Sequence, residues 1–331
     1  ADDVHSCFFS KGVFRDALIM GILLQVLLLA VGFVMLVKGS DWFVDGSSGI
    51  AAKFGIPQLV IGLTIVAMGT SAPEAAVSIS AAFKGNADIT IGNIVGSNIL
   101  NILIILGLSS IIVPIAVAKS TIKVETPFMI AITVIMLILG LDGVVSLVDG
   151  IILIVLFVVY LAYLFRMAKK DKNTENDEAA NNMSVSKAII FAIIGLVLIV
   201  GGSNVTVDAA TKIAQALGVS ERFIGLTIVA LGTSLPELFT SVTAARKGNA
   251  DIAIGNIVGS NIFNILFVVG ISSIVIPVPF AANFIFDSII AIAAGVLLLL
   301  CCIWTKQLKR WAGITMLLSY AAYFVVLLNN Q

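Results

Sequence analysis

Charged side chains are scarce in this 331-residue sequence. Only 11% of the residues are charged, where an ordinary soluble domain has about a quarter. By contrast, 60% are hydrophobic, and the mean hydropathy is +1.13. A water-soluble protein needs more charge than this to cover its surface. The excess apolar surface must therefore face lipid, and the composition predicts an integral membrane protein.

Several common kinds of site also lack the side chains that they need. The single histidine, His5, lies in the N-terminal segment, which argues against a histidine proton relay in the membrane or a zinc-type catalytic centre. Three cysteines (Cys7, Cys301 and Cys302) are too few and too scattered for a disulfide framework. The formal net charge of zero provides no basic field for nucleic acid. No serine has a histidine or lysine partner within a span, so an enzyme is not predicted.

Long apolar segments recur along the whole chain. A membrane-spanning helix needs roughly 20 mainly apolar residues, and on this criterion the sequence predicts ten spans, centred near residues 28, 70, 99, 132, 157, 198, 233, 262, 293 and 319. The predicted fold is an all-α polytopic membrane protein with helices broken at the midplane. It has four parts, which are an N-terminal tail (1–17), a first five-helix repeat (18–166), a cytoplasmic linker (167–186) and a second five-helix repeat (187–331).

An internal repeat relates the two halves. Residues 62–74 read GLTIVAMGTSAPE and residues 225–237 read GLTIVALGTSLPE, while residues 84–103 and 247–266 share KGNADI and IGNIVGSNI. From Gly62 to Pro114, 37 of 53 positions are identical at an offset of 163 residues. Because each half crosses the membrane five times, the second half enters from the opposite side. The repeats are therefore predicted to be inverted about a pseudo-two-fold axis in the membrane plane.

Positive charge differs between the two sides of the predicted membrane. Five Lys and Arg residues lie on the side of the N-terminal tail, and fourteen lie on the side of the linker. Because positively charged loops stay in the cytoplasm, the sequence predicts a multi-pass protein of the cell membrane with both termini outside and the linker in the cytoplasm.

Each half carries one glutamate in its second span, Glu74 and Glu237. A carboxylate at the bilayer centre costs about 2.5–3.5 kcal/mol on insertion scales, so two at matched positions indicate a function. The alternative is a neutral glutamate that only makes structural hydrogen bonds. A proline precedes each glutamate and removes a helix hydrogen bond, which predicts that carbonyls in 67–70 and 230–233 lose their donors and become available ligands.

A second repeated motif lies in the spans that follow. Its polar residues are Ser97, Asn98, Asn101, Ser260, Asn261 and Asn264. Because residues four apart share one face of a helix, these side chains are predicted to line a polar cavity. Interhelical hydrogen bonding is the alternative.

The oxygen atoms of these motifs meet the requirements of a hard cation. Calcium takes about 6–8 oxygen ligands; two bidentate glutamates supply four, and the carbonyls of Thr70 and Thr233 supply two more. Softer transition metals prefer Cys or His. One calcium ion, or two sodium ions, would neutralise the carboxylates, so that only loaded states could reorient across a low-dielectric barrier.

Two G-T-S-x-P-E motifs combined with two G-S-N-x-x-N motifs closely resemble the alpha-repeats of the sodium/calcium exchanger family, in its short prokaryotic form. The resemblance implies antiport of Ca²⁺ for Na⁺ by alternating access, with calcium bound by Glu74, Glu237 and the carbonyls of Thr70 and Thr233. It also implies sodium sites and a central position, formed by the carbonyls of Ala67 and Ala230 and the side chains of Ser71, Ser234, Ser97, Ser260, Asn101 and Asn264. Apart from these ions and the bilayer, no cofactor and no obligate protein partner is predicted.

Some similar archaeal members carry Asp at the position of Asn264. The family's usual three sodium ions per calcium is implied by the resemblance alone, and the missing carboxylate leaves the number of ions per cycle open. Two other functions are alternatives. One is a proton/calcium antiporter of the same fold, although its G-N-A-x-E type of motif is absent, and the other is a passive cation channel lined by the same Glu and Asn side chains.

Overall fold

The computed structural model describes residues 2–170, 183–218 and 230–329, and most of these residues are helical. Within these ranges, eight helices are long and apolar enough to cross a membrane. A ninth candidate span is the helix pair Gln58–Thr70 and Ala72–Phe83, which is bent by 51°. These nine match nine of the predicted spans. The remaining one, centred near residue 233, lies partly outside the described residues, and the count of ten stays a prediction.

The helices follow one another along the chain with few interruptions. They are α1 (Asp2–Phe54), α2 (Gln58–Ile61), α3 (Ala67–Thr70), α4 (Ala72–Phe83), α5 (Asp88–Leu100), α6 (Gly107–Ile112), α7 (Thr126–Leu139), α8 (Leu147–Lys170), α9 (Val185–Ala216), α10 (Ala230–Thr233), α11 (Leu235–Arg246), α12 (Ala250–Phe263), α13 (Gly270–Val275), α14 (Asn283–Ile303) and α15 (Arg310–Asn329). The described part of the chain also has π-helical turns at Gly62–Val66, Asn101–Leu106, Thr121–Glu125 and Asn264–Val269.

Two segments predicted to be a tail and a linker are partly helical. Helix α1 begins at Asp2, so residues 2–17 continue directly into the first span. The chain contains no proline before Pro57 to interrupt this helix. Helix α8 extends to Lys170 and α9 begins at Val185, which makes both ends of the predicted linker helical. Residues 171–182 lie outside the described part of the chain.

The two longest helices pack closely as an antiparallel pair. A Cβ atom at Gly39 of α1 would lie 2.9 Å from the carbonyl oxygen of Gly195 of α9, and one at Gly32 would lie 3.0 Å from that of Gly202. Residue numbers thus rise along one helix as they fall along the other. Small residues let helix backbones approach closely in a membrane, and this spacing of seven residues keeps glycine on the contact face of both helices.

Among the residues that the structure describes, four two-residue strands connect the halves reciprocally. They are β1 (Ile115–Ala116), β2 (Val144–Val145), β3 (Val278–Pro279) and β4 (Gln307–Leu308). Strand β1 pairs antiparallel with β4, and β2 pairs antiparallel with β3. Since β1 and β3, like β2 and β4, are related by the offset of 163 residues, the two pairings are equivalent contacts between one half and the other.

Burial divides the helices into a central and a peripheral group. The spans Ile89–Ile112 and Ala250–Val275 are largely buried within the protein. Helix α1 instead exposes large apolar side chains such as Leu27 and Val34, each 61% exposed. Apolar surface of this kind is stable against lipid, and the structure is that of a membrane protein whose central helices carry the polar motifs.

Candidate functional site

Each half has a sharp break in front of its glutamate. Ser71 separates α3 from α4 with a ψ of 6°, and Ser234 separates α10 from α11 with a ψ of 4°, both outside helical values. Pro73 and Pro236 then occupy the first turn of the helix that follows, where a missing N–H costs no hydrogen bond. The repeated sequence therefore folds into the same local structure twice.

The two glutamates are bonded across the interface of the halves. The Ser71 hydroxyl donates to Oε1 of Glu237 at 2.8 Å, and the Ser234 hydroxyl donates to Oε1 of Glu74 at 3.4 Å. Glu74 is 1% exposed and Glu237 is fully buried. Each carboxylate is thus positioned by the serine at the other half's break.

Two asparagines that the sequence analysis missed anchor the helices of the site. The amide of Asn93 donates to the carbonyl of Glu74 at 3.3 Å and to the hydroxyl of Ser78 at 2.9 Å. Asn256 makes the equivalent bonds to the carbonyl of Glu237 and to the serine four residues further on. Their signal was present in the sequence, because both belong to the repeated GNIVGSN segment.

The carbonyl of Ala67 keeps its backbone donor. It accepts the N–H of Ser71 at 3.0 Å, and the Ser260 hydroxyl at 3.4 Å. The prediction that this carbonyl loses its donor is therefore wrong. Pro73 lacks the N–H that would bond the carbonyl four residues before it, and that carbonyl belongs to Gly69, not to Ala67. The Thr70 hydroxyl donates to Oδ1 of Asn256 at 3.0 Å, which ties the break to the neighbouring half.

The asparagines of the second motif form a reciprocal interhelical cluster. The amides of Asn98 and Asn261 each donate to the other residue's backbone carbonyl, at 3.2 and 3.1 Å. Asn101 donates to Oδ1 of Asn261 at 2.9 Å, and Asn264 donates to Oδ1 of Asn98 at 3.1 Å. These amides therefore make the interhelical hydrogen bonds that the sequence analysis considered the alternative to lining a cavity.

The other predicted site residues occupy nearby positions. Ser97 is buried on α5, one turn before Asn101. Thr233 is half-buried at the end of α10. Ala230 is the first residue of α10, and the preceding residues 219–229 lie outside the described part of the chain.

Four acceptor oxygens in this region are buried without a hydrogen-bond partner in the described residues. They are Oε2 of Glu74, Oε2 of Glu237, Oδ1 of Asn101 and Oδ1 of Asn264. Buried polar atoms are normally paired, and carboxylate and amide oxygens are the ligands that hard cations take. The described residues contain no group of three or more His, Cys, Asp or Glu that could hold a metal, so the donor set consists of two carboxylates and neutral oxygens.

Broken helices that meet between two related halves, with a carboxylate at each break, are the arrangement of a secondary transporter. The family model for the sodium/calcium exchanger protein matches residues 24–166 and 187–329. The chain belongs to this family, and the prediction made from its motifs is confirmed. As a family, its members are membrane antiporters for Ca²⁺ and another cation.

Similar proteins cover nearly the whole chain. The sodium/calcium exchanger MaX1 of Methanosarcina acetivorans is 34% identical in an alignment of 348 positions that covers 92% of this chain and 99% of the relative. The inner membrane protein YrbG of Escherichia coli is 35% identical in an alignment of 310 positions that covers 90% of this chain and 94% of the relative. The solved structure of the sodium-calcium exchanger NCX_Mj, soaked with Na⁺ and Sr²⁺, has a TM-score of 0.80 at 37% identity and covers 92% of this chain and 99% of that chain.

Proposed function

We propose that this protein is a secondary-active antiporter that exchanges Ca²⁺ for Na⁺ across the cell membrane by alternating access. The observation that carries the proposal is the pair of buried carboxylates at the two breaks, each bonded by the serine of the other half and each with its Oε2 unpaired among the described residues. A low-dielectric region tolerates such oxygens where a cation completes their coordination. Family membership supports the same conclusion.

In this proposal calcium binds between the carboxylates of Glu74 and Glu237, with the carbonyls of Thr70 and Thr233 as further ligands. Sodium binds beside it through the oxygens of Ala67, Ala230, Ser71, Ser234, Ser97 and Ser260, and Asn101 and Asn264 border the central position. The cross-bonded serines support this assignment, because a hydroxyl that already contacts a carboxylate lies within reach of an ion bound there.

Exchange is coupled because the two carboxylates need neutralising before the site can change sides. One Ca²⁺ or two Na⁺ provide two positive charges, whereas an empty site would expose its negative charge to a low-dielectric barrier. Reorientation of the loaded states alone makes the exchange obligatory.

The proposed topology has ten spans in two inverted repeats, with the termini outside and the linker in the cytoplasm. The antiparallel packing of α1 on α9 supports the inversion, since these helices are equivalent in the two halves. The reciprocal bonds between Asn98 and Asn261 also support it, because a pseudo-two-fold axis relates each bond to the other.

Calcium uptake into proteoliposomes tests the choice of counter-ion. Vesicles loaded with sodium are diluted into sodium-free buffer containing radioactive calcium, and uptake above the equilibrium level is expected. Uptake driven by an imposed proton gradient without sodium would favour the proton alternative, and flux that only runs downhill would indicate a channel. Glu237→Gln should be inactive, whereas Glu125→Gln is the matched control, since Glu125 is equally buried but belongs to a different span.

A further inference from the structure

Polar contacts join α1 to the loop that follows α11. The ammonium group of Lys247 lies 2.8 Å from Oδ1 of Asp45 and 3.3 Å from Oδ1 of Asp41, and it also donates to the carbonyl of Asp41 at 3.0 Å. Beside it, the amide of Asn249 donates to the hydroxyl of Ser48 at 3.0 Å. We name Lys247, Asp41 and Asp45 the first latch. It holds one end of α1 against the second half.

The repeat provides the residues for a second latch that is not formed. At the offset of 163 residues, Lys247 corresponds to Lys84, Asp45 to Asp208 and Asp41 to Asn204. Lys84 is exposed and makes no ion pair within the described residues. Asp208 instead pairs with Lys212 on its own helix at 3.4 Å. The second latch, Lys84 with Asp208, is therefore open.

A second polar contact shows the same asymmetry. The hydroxyls of Ser40 and Thr243 lie 2.8 Å apart and connect α1 to α11. Their repeat equivalents are Ser203 and Ser80, but the Ser203 hydroxyl donates to the carbonyl of Gly232 at 2.6 Å. Ser80 is exposed, whereas Thr243 is half-buried. The contact that is closed in one half is thus open in the other.

A third contact and the helix packing agree. Thr211 is the equivalent of Ser48, and its hydroxyl is buried without a partner in the described residues. Its expected partner would be Asn86, the equivalent of Asn249. Helix α1 packs along α11, whereas α9 packs much less extensively on α4. Four features therefore distinguish the two ends of this molecule in the same way.

From these features we infer that the two latches are alternatives, and that each is closed in one of the two states of the transport cycle. Lys247 keeps α1 on α11 in the state described here, and Lys84 pairs with Asp208 when α9 moves onto α4. This inference rests on the proposed alternating access, since two nearly identical halves have to exchange their contacts. Lys247 and Lys84 act through these helices and are positioning residues for the exchange reaction.

The latches differ in charge, and this gives the cycle a preferred state. The first latch has two carboxylates around its lysine, whereas Asn204 leaves the second latch with one. A lysine is attracted more strongly by two carboxylates at short range than by one. The state with the first latch closed is therefore the resting state, and Asn204→Asp should shift the population toward the other state.

Thiol labelling measures this population without measuring transport. In a background without the three native cysteines, Ser80→Cys reports on the gap between α9 and α4. Lys247→Ala should slow its labelling by a water-soluble maleimide about two- to five-fold, the range of an exposed ion pair, and Asn204→Asp should act in the same direction. Lys53→Ala, which removes an exposed lysine at the end of α1, is the control.

In the labelling experiment, Lys247→Arg should restore the parent rate, because arginine keeps the positive charge of the latch. Cross-linking provides a second readout. Ser48→Cys paired with Asn249→Cys should cross-link at rest, and Thr211→Cys paired with Asn86→Cys should cross-link only when ions drive turnover; both pairs leave the two latches intact. Labelling of Lys247→Ala that equals that of Lys53→Ala would overturn the inference. So would cross-linking that is never seen between positions 86 and 211 although positions 48 and 249 do cross-link. If the parent protein showed no sodium-driven calcium uptake but the labelling shifts occurred as predicted, the proposed function alone would be refuted.

Discussion

Removal of the Ser71 hydroxyl should weaken calcium binding more than removal of the Ser234 hydroxyl. The bond from Ser71 to Glu237 is short, at 2.8 Å, whereas the bond from Ser234 to Glu74 is long and therefore weaker, at 3.4 Å. A hydrogen bond to a charged group contributes about 1.5–3 kcal/mol, and about 1.4 kcal/mol corresponds to a tenfold change in affinity. Ser71→Ala should therefore raise the Kd for calcium roughly 10- to 140-fold, and Ser234→Ala less than about fivefold.

The assay is calorimetric titration of calcium into each purified variant in sodium-free detergent. Both serines are buried, and alanine removes one oxygen without creating a large cavity, so the two variants are matched in size and location. Thermal unfolding of the calcium-free proteins checks that both are folded. Equal losses of affinity, or a greater loss in Ser234→Ala, would refute the view that the short bond from Ser71 to Glu237 supports the calcium site more strongly than the long bond from Ser234 to Glu74.

Three further predictions concern packing, charge and topology. In Gly259→Ala the new Cβ would lie 2.8 Å from the backbone of the neighbouring π-helical turn. Overpacking of this kind costs about 1–3 kcal/mol, so the Tm should fall by several degrees. The control is Gly21→Ala, where no described atom lies within 4 Å of the new Cβ. Asn264→Asp adds a third buried carboxylate for which protons compete with calcium, so uptake should become more sensitive to acid; superimposable pH profiles would contradict this. A cysteine at Asn176 should be labelled only from the cytoplasm and one at Asn330 only from outside, and the opposite accessibility would overturn the proposed orientation.

The repeated motifs predicted the local structure of the site well. The proline before each glutamate indicated a break in the helix, and the break is found at Ser71 and, in the same geometry, at Ser234. Family membership also followed from these motifs. Local features of this kind depend on residues that are close in the sequence. The motif therefore predicts the same feature in both halves, since it recurs at an offset of 163 residues.

Contacts between the halves could not be predicted from the same motifs. The sequence does not state that Ser71 bonds the carboxylate of Glu237 rather than that of Glu74, because this depends on how distant helices pack. The role of Asn256 depends on the same packing, because its side chain accepts a hydrogen bond from the Thr70 hydroxyl and donates one to the carbonyl of Glu237.

The asymmetry between the halves is a property of conformation. Lys84 and Lys247 stand in nearly identical segments, yet only Lys247 is paired with carboxylates of α1. A repeat in the sequence specifies which contacts each half is able to make, but it does not specify which of these contacts are formed in one conformation. Only the structure shows which set is closed.

Calcium binding to the two glutamine variants tests the central claim most directly. Equilibrium binding of radioactive calcium is measured for the parent, Glu74→Gln, Glu237→Gln and the buried control Glu125→Gln. A buried carboxylate and the calcium ion form a charge pair, and loss of one partner from such a pair costs about 3–5 kcal/mol. Both site variants should therefore lose calcium affinity by at least a hundredfold, while Glu125→Gln should bind calcium like the parent. Retention of calcium affinity within tenfold in either folded site variant would contradict a calcium site between Glu74 and Glu237.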